Sequence, residues 1–519
     1  MRLNKTGLYT TYLLLSVFLI SGSTLFNGCK DKVKTFQPTG DTIADGKKLV
    51  EQYCTSCHQL VPPDFLTKDV WKYHTLPTMA HRLGLSTYTT TNYYKKDPND
   101  TTGVSLENWA IILAYYAKVA PDSLRPVKAP VPLINDWAGF SLKKPADQKD
   151  PAFTTMVAFN PYNQKLYSSD QYQQNLYEWD NNLNQKQIAA LPSAAVNASF
   201  IKGENGASQG IFSCIGQIQP QDFPNGKALG FDFQGQNTKN TPTIIASELN
   251  RPVQTVSADF NKDGLMDHVI CAKGFKTGGV YLMTQKADHS FIQSNISDKA
   301  GAVQAITGDF NNDGWPDLMV LYGSGDEGLW LYLNDHKGGF TSKNLLHFPP
   351  VYGSTSFQLA DLNHDGKPDL IYTCGYNYFD SRILKPYHGL YIFTNEGDWK
   401  FKQSYFYPID GCTKAIAADF TGDGNLGIAT IAFFADMKNK PQEEFIYFEN
   451  DKQGGFKPHA IPVSKYGRWM SMDVADINND GKPDIILGNY SRGFWFQQGL
   501  MSFWDEKSPF IILENHIPK

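Results

Sequence analysis

The sequence predicts a multidomain chain: a small all-α domain followed by an all-β propeller of seven blades. Three observations carry that expectation. The pentapeptide Cys54-Thr55-Ser56-Cys57-His58 stands between two segments with helical apolar spacing. An Asp-x-Asn/Thr-x-Asp-Gly element begins at Asp259, Asp309, Asp361, Asp419 and Asp476, at intervals of 50 to 58 residues. Between these regions Pro121, Pro126, Pro130 and Pro132 make a stiff connector, unsuited to helix or strand. The predicted domains are therefore 41–125 and 126–519.

With 519 residues and 41% apolar composition, the chain can bury more than one core and reads as globular. Its net charge of −5 comes from 47 Lys+Arg against 52 Asp+Glu, too weak a field to advertise a polyanion-binding surface. Nucleic acid is not an expected partner.

Residues 1–28 read as an export signal, with Arg2 and Lys5 ahead of an apolar run from Leu13 to Ile20, then small or polar residues up to Gly28. Leu25-Phe26-Asn27-Gly28-Cys29 resembles a bacterial lipobox. That resemblance implies lipidation of Cys29, a membrane anchor there and a tether over 29–40. Cleavage without lipidation and an uncleaved anchor helix are the alternatives. All three place the rest of the chain outside the cytoplasm.

Cys54-x-x-Cys57-His58 is the attachment pattern of c-type haem: two thiols one helical turn apart add to the vinyl groups, and the adjacent histidine reaches the iron. A thioredoxin-like pair or half of a zinc site needs no following histidine, and no second Cys-x-x-Cys exists for zinc. Gly46, Leu49, Val50 and Tyr53 fall at i, i+3, i+4 and i+7 ahead of the motif, which predicts an amphipathic helix. A second helix is predicted where Ser105 can cap, Glu107 lies in the first turn, and Trp109, Ile112, Leu113 and Tyr116 repeat the spacing. This arrangement resembles the small monohaem cytochromes c, whose first and last helices cross over the haem edge. Leu76-Pro77-Thr78-Met79 looks like the methionine loop of that family, which implies Met79 as distal iron ligand, with His74 or His81 as alternatives. His/Met ligation fills the coordination sphere and suits outer-sphere electron transfer. With Cys29, Cys54 and Cys57 assigned, Cys214, Cys271, Cys374 and Cys412 remain, and the sequence leaves open their pairing or their persistence as free thiols.

A repeat of 50 to 58 residues means one supersecondary unit per repeat. Each acidic element runs into an apolar stretch, such as Val269-Ile270, Leu318 to Leu321, Leu370-Ile371 or Ile485 to Leu487, which predicts a strand. A second strand recurs in Gly328 to Asn334, Gly389 to Asn395 and Phe445 to Asn450, and Gly-rich turns before Phe340 and Phe456 open a third. Four strands per repeat is the size of a propeller blade. Two weaker units, around Ala158 to Pro161 and Ala198 to Phe200, bring the count to seven. Phe510 to Asn515 matches the pattern of residues 445–450 but lacks later strands, and Trp137 to Leu142 looks like the missing piece. A ring interlocked in this way leaves no open edge.

Within each element, oxygens at positions 1, 3, 5 and 9, with glycine at 6, form a hard-cation loop, and Ca2+ is the natural occupant. The candidate ligands are Asp259, Asn261, Asp263 and Asp267; Asp309, Asn311, Asp313 and Asp317; Asp361, Asn363, Asp365 and Asp369; Asp419, Thr421 and Asp423; and Asp476, Asn478, Asp480 and Asp484. The fourth loop replaces its last donor by Gly427 and should bind more weakly. EF-hands are excluded, because position 12 holds Ile270, Val320, Tyr372, Thr430 or Leu487 where a glutamate is needed. The loops resemble the FG-GAP or VCBS repeats of integrin-α-type propellers, whose loops bind calcium between strands. Tight Asx-type turns holding sodium, water or nothing are the alternative.

The expected function is electron transfer through one haem c, with a redox partner protein and with the calcium-braced propeller as a docking platform for a protein or glycan. The repeats carry no Ser-His-Asp signature, nucleotide fingerprint or zinc motif, and His268, His364 and His459 read as packing or surface residues, so the chain is read as a carrier more than an enzyme. Two alternatives remain: a cytochrome-fused propeller dehydrogenase, and an adhesion or glycan-binding module with a redox-sensing haem. Fold does not choose among them.

Overall fold

The computed structural model describes residues 36–87, 93–99, 103–202, 208–234, 237–238, 241–378, 383–494, 497 and 499–518. The export signal and Cys29 lie outside the described residues. Among the described residues, no helix is long and apolar enough to cross a membrane.

The N-terminal unit is helical: α1 (Thr42–Cys54), α2 (Leu76–Arg82) and α3 (Leu106–Val119). Asp41 caps α1 by accepting from the N–H groups of Ile43 and Ala44, and Ser105 caps α3 by accepting from Asn108 N–H. Helices α1 and α3 cross at Gly46, where a Cβ would stand 2.3 Å from Tyr115 Cβ, so only glycine permits the approach. Leu49, Val50, Trp71, Leu76, Ala80, Trp109, Ile112 and Tyr116 form the core between them. A two-stranded ribbon, Leu85–Thr87 with Tyr94–Lys96, closes one side.

Seven antiparallel sheets follow, each led by its innermost strand: Thr154–Asn160, Ala195–Lys202, Pro252–Ala258, Ala302–Gly308, Ser354–Ala360, Lys414–Ala418 and Trp469–Ala475. Each of these strands packs on the next and the seventh packs on the first, so the sheets are blades 1 to 7 of a closed propeller. Polar side chains clip every neighbouring pair across the axis. Asn197, Gln254, Gln304 and Gln358 accept from Thr255, Ala305, Phe357 and Ala417 N–H at 2.6–3.3 Å. Asp473 accepts from Phe159 N–H at 2.7 Å, Lys414 donates to Met472 C=O at 2.8 Å, and Thr155 donates to Ala195 C=O at 2.6 Å.

Strand Phe140–Lys143 pairs antiparallel with Phe510–Asn515 and completes blade 7, as the truncated last repeat predicts. The expected start at Trp137 is corrected to Phe140. Residues 137–139 form a turn, with positive φ at Ala138 (45°) and Gly139 (83°) and Phe140 N–H donating to Trp137 C=O. A further strand, Ile134–Asn135, lies parallel to Phe456–Ala460 on the outside of blade 6.

Because the blades are antiparallel meanders, their loops divide between two faces. Connections from first to second and from third to fourth strand emerge on one face, which carries all five acidic elements. Connections from second to third strand, and from blade to blade, emerge on the other.

Candidate functional sites

Helix α1 ends at Cys54, so the turn Thr55–His58 projects from its C-terminus. Cys54 is half-buried and Cys57 exposed, and both thiols are free. Burial, reinforced by Cys57, pushes the Cys54 thiol up to about 11, opposite to the lowered value a redox dithiol needs. His58 is half-buried, with Nδ1 2.8 Å from Gln59 O.

Met79 is half-buried on α2, where the resemblance implied a loop; a π-helical turn, Trp71–Thr75, runs directly into α2 and carries the methionine on a helix. Cys54 and Met79 rim the same apolar cluster, whereas His81 Nε2 is engaged with Thr87 Oγ1 at 3.1 Å. Tyr94 OH and Trp109 Nε1 are buried side by side, their rings edge-on at 5.5 Å. Two thiols and an imidazole on one turn, with Cys54 and the Met79 thioether against one apolar core, fit a haem.

The first acidic loop is closed by its own hydrogen bonds. Asp259 accepts from Asp263 N–H at 3.1 Å and from Gly264 N–H at 2.9 Å, and Asn261 accepts from Asp263 N–H at 3.0 Å. Gly264 has φ 86°, the left-handed conformation this turn requires. The loops from Asp309, Asp361 and Asp476 repeat the pattern through Asp313, Asp365 and Asp480.

Position 9 has a role that spacing alone does not reveal. Asp267, Asp317, Asp369 and Asp484 are buried, and each accepts from two backbone N–H groups. One donor is position 2 of the same loop: Phe260, Phe310, Leu362 or Ile477, at 3.0–3.4 Å. The other lies at the end of the third strand: Gln285, Asn334, Asn395 or Asn515, at 2.8–2.9 Å. Burial raises the pKa of all four, with the carboxylate at position 5 adding to it, and Asp484 reaches about 6. Hard oxygens and accumulated negative charge fit a divalent cation. Among the described residues no three His, Cys, Asp or Glu side chains already stand as a ligand cluster.

The fourth loop differs. A Cβ on Gly427 would lie 3.0 Å from the Tyr447 ring, which occupies the space of the missing carboxylate. Lys452 Nζ sits 2.6 Å from Asp423 Oδ2 and holds that carboxyl well below its usual range.

The helical unit rests on the face away from these loops. The Phe65 ring lies 5.0 Å from Tyr387 and 6.2 Å from Tyr352, and Tyr387 OH donates to Phe65 C=O at 3.1 Å. Val351 and Ile383 pack into the helical core. Near this contact, connections of three blades bury a group of ionisable side chains that no motif announces. Glu327 accepts from Gly353 N–H, Ser354 N–H and Ser354 Oγ at 2.7–3.1 Å, and burial pushes it up to about 6. Burial brings Lys273 down to about 7 and Lys385 to about 8. His388 is buried with neither ring nitrogen bonded. Cys214, Cys271, Cys374 and Cys412 are all buried free thiols.

Residues 259–320, 309–372 and 434–487 match the FG-GAP-like repeat family. A stretch of 135 residues is 30% identical to a T-cell immunomodulatory protein homolog of Plasmodium falciparum, covering 23% of this chain and 18% of that protein. The chain thus spans less than a fifth of this relative. Among solved structures, virginiamycin B lyase from Staphylococcus aureus aligns at a TM-score of 0.45 with 8% identity, over 72% of this chain and 98% of the lyase. The periplasmic gluconolactonase of Pseudomonas aeruginosa aligns at 0.38 with 15% identity, over 62% and 88%. The chain therefore carries FG-GAP-like repeats within a seven-bladed propeller.

Proposed function

We propose that the chain is an exported c-type cytochrome, anchored through Cys29, that transfers electrons through one haem on Cys54 and Cys57, with the propeller as docking platform. The observation that carries this reading is the Cys54-x-x-Cys57-His58 turn at the end of α1, on the rim of the core that also holds Met79. Bound haem supplies a one-electron couple. His58 and Met79 would hold the iron, the α1–α3 crossing fixes the attachment turn, and the Tyr94–Trp109 pair would offer a donor to the haem carboxylates. Loops one, two, three and five hold Ca2+ and brace the blades.

Denaturing electrophoresis with haem staining, followed by optical spectra, tests the reading. The wild type should carry one covalent low-spin haem. Met79→Ala should keep the haem but turn it high-spin and lower its potential. A haem-free wild type, or an unchanged Met79→Ala spectrum, would count against the assignment.

A second reading, a cytochrome-fused dehydrogenase, is favoured by one observation: the helical unit contacts the propeller face that buries Glu327, Lys273, Lys385 and His388. Reduction of the haem by sugars or alcohols in the purified protein would establish it, and an inert haem would remove it.

A further inference from the structure

Two hollows of about 530 and 300 Å³ flank one exposed ring, Tyr172, on the propeller face away from the acidic loops. Tyr172 belongs to the connection between the second and third strands of blade 1 and is 68% exposed. It does not swing freely. Asp170 Oδ1 accepts from the N–H groups of Tyr172 and Gln173 at 2.8 and 3.0 Å, while Asp170 Oδ2 accepts from Phe153 N–H at 2.8 Å. Phe153 then supports the tyrosine ring at 4.2 Å between centroids.

Carboxamides line both sides. Gln148, Gln173 and Gln185 border the larger hollow, where Gln148 Nε2 donates to Gln185 Oε1 at 3.2 Å, and Gln171, Gln217 and Gln219 border the smaller. Gln171 is fixed at one end by accepting from Tyr490 OH; among the described residues nothing uses its Nε2. Gln217 Nε2 points to Gln219 Oε1 at 3.4 Å, a long contact that either group can exchange for a better one.

Each carboxamide offers both donors and an acceptor without charge. Of the charged groups at the larger hollow, Asp170 is spent on the backbone, and Lys149 and Asp150 oppose each other in sign. An anion meets no net counter-charge here, and an apolar ligand would strip water from the amides. A chain of neutral sugars fits both halves of the lining. Its hydroxyls donate and accept as the amides do, and its C–H face can lie on the tyrosine ring, whose edge and face suit such contact. Hollows on both sides of one ring match an oligosaccharide that continues past a stacked residue.

We propose that the cleft around Tyr172 binds a neutral oligo- or polysaccharide, with Tyr172 as stacking platform and Gln148, Gln171, Gln173, Gln217 and Gln219 as hydroxyl partners. This rests on the reading of the propeller as a recognition platform and gives that platform a ligand class and a place.

Affinity electrophoresis of the full chain through gels containing laminarin, xylan, mannan, soluble starch or hydroxyethylcellulose, with alginate as the anionic comparison, tests it. At least one neutral polysaccharide should retard the wild type. Tyr172→Ala should weaken that retardation about tenfold, Tyr172→Phe should preserve it, and Gln217→Ala should reduce it. Absence of retardation in all five neutral gels, retardation by alginate alone, or retardation that Tyr172→Ala leaves unchanged would overturn the proposal. Haem absorbance read on the same samples separates the two failures: loss of the carrier reading appears as missing haem, and loss of this one as missing retardation.

Discussion

Lys273 is the residue whose behaviour the structure constrains most. Its amine lies 3.9 Å above the Tyr376 ring, inside the propeller face on which the helical unit rests. Burial, with Arg251 adding to it and Glu327 opposing, lowers its pKa from 10.5 to about 7. Between those two values the unfolded chain binds a proton that the folded chain has released. Stability should therefore rise with pH across that window, by about 1.4 kcal/mol per unit at most from this group. In Lys273→Met that contribution to the slope disappears. Urea unfolding between pH 7 and 10 measures it, and equal slopes for the two proteins would mean that burial does not depress the amine. None of this was legible in the sequence, because Lys273, Glu327 and Lys385 come from connections of three different blades and share no spacing. Cys54, Cys57 and His58 were legible for the opposite reason: their chemistry requires a fixed local separation.

At the scale of the element, the acidic loops divide at position 9, since a lysine also contacts the position-5 carboxylate of the third loop, Lys367 on Asp365 at 3.3 Å. The loop from Asp309 has Trp315 at position 7, its backbone N–H donating to Asp313 at 2.8 Å and its ring stacked on His336, whose Nε2 lies 2.9 Å from Asp313, so a lanthanide bound there would sit near an indole. Tb3+ should show tryptophan-sensitised emission that Ca2+ competes away and that Trp315→Phe removes in large part. The loop from Asp419 should stay silent, since Lys452 already places a cation on Asp423 and Tyr447 fills the position-9 space. Titration should therefore end at four ions per chain, and a fifth would show that Lys452 yields to the metal. The strands after these loops were legible from apolar runs, and α1 and α3 from helical spacing with recognisable caps. The start of the closing strand was not, because Ala138 adopts a left-handed conformation that an apolar pattern does not encode. Strand Ile134–Asn135 was missed because two residues carry no period. The burial of position 9 was hidden as well, since its donors come from the distant third strand.

For the whole molecule, the closed ring was legible because Phe510–Asn515 repeats an earlier pattern without its continuation. The seating of the helical unit was not, because it brings Phe65 onto Tyr352 and Tyr387, with Val351 and Ile383 beside them, from a blade far along the chain. Phe65→Ala should loosen that seat without unfolding either part. Limited proteolysis within residues 121–132 should then become several-fold faster, while circular dichroism keeps both the helical and the strand signal. An unchanged cleavage rate would place the holding force elsewhere, in the connector itself, where Tyr407 OH donates to Val131 C=O at 3.2 Å.

The strand that completes blade 7 also orders events in time. Lys143 and its partner Glu514 are 371 residues apart. During synthesis the helical unit and strand Phe140–Lys143 emerge first, and that strand waits with its hydrogen-bonding edge bare while the blades are made in turn. Only when Phe510–Asn515 follows can the ring lock, so over those 371 residues the growing chain is an open arc with a free β-edge. Until that last strand arrives, the first one depends on a chaperone or on its own short length to stay solitary.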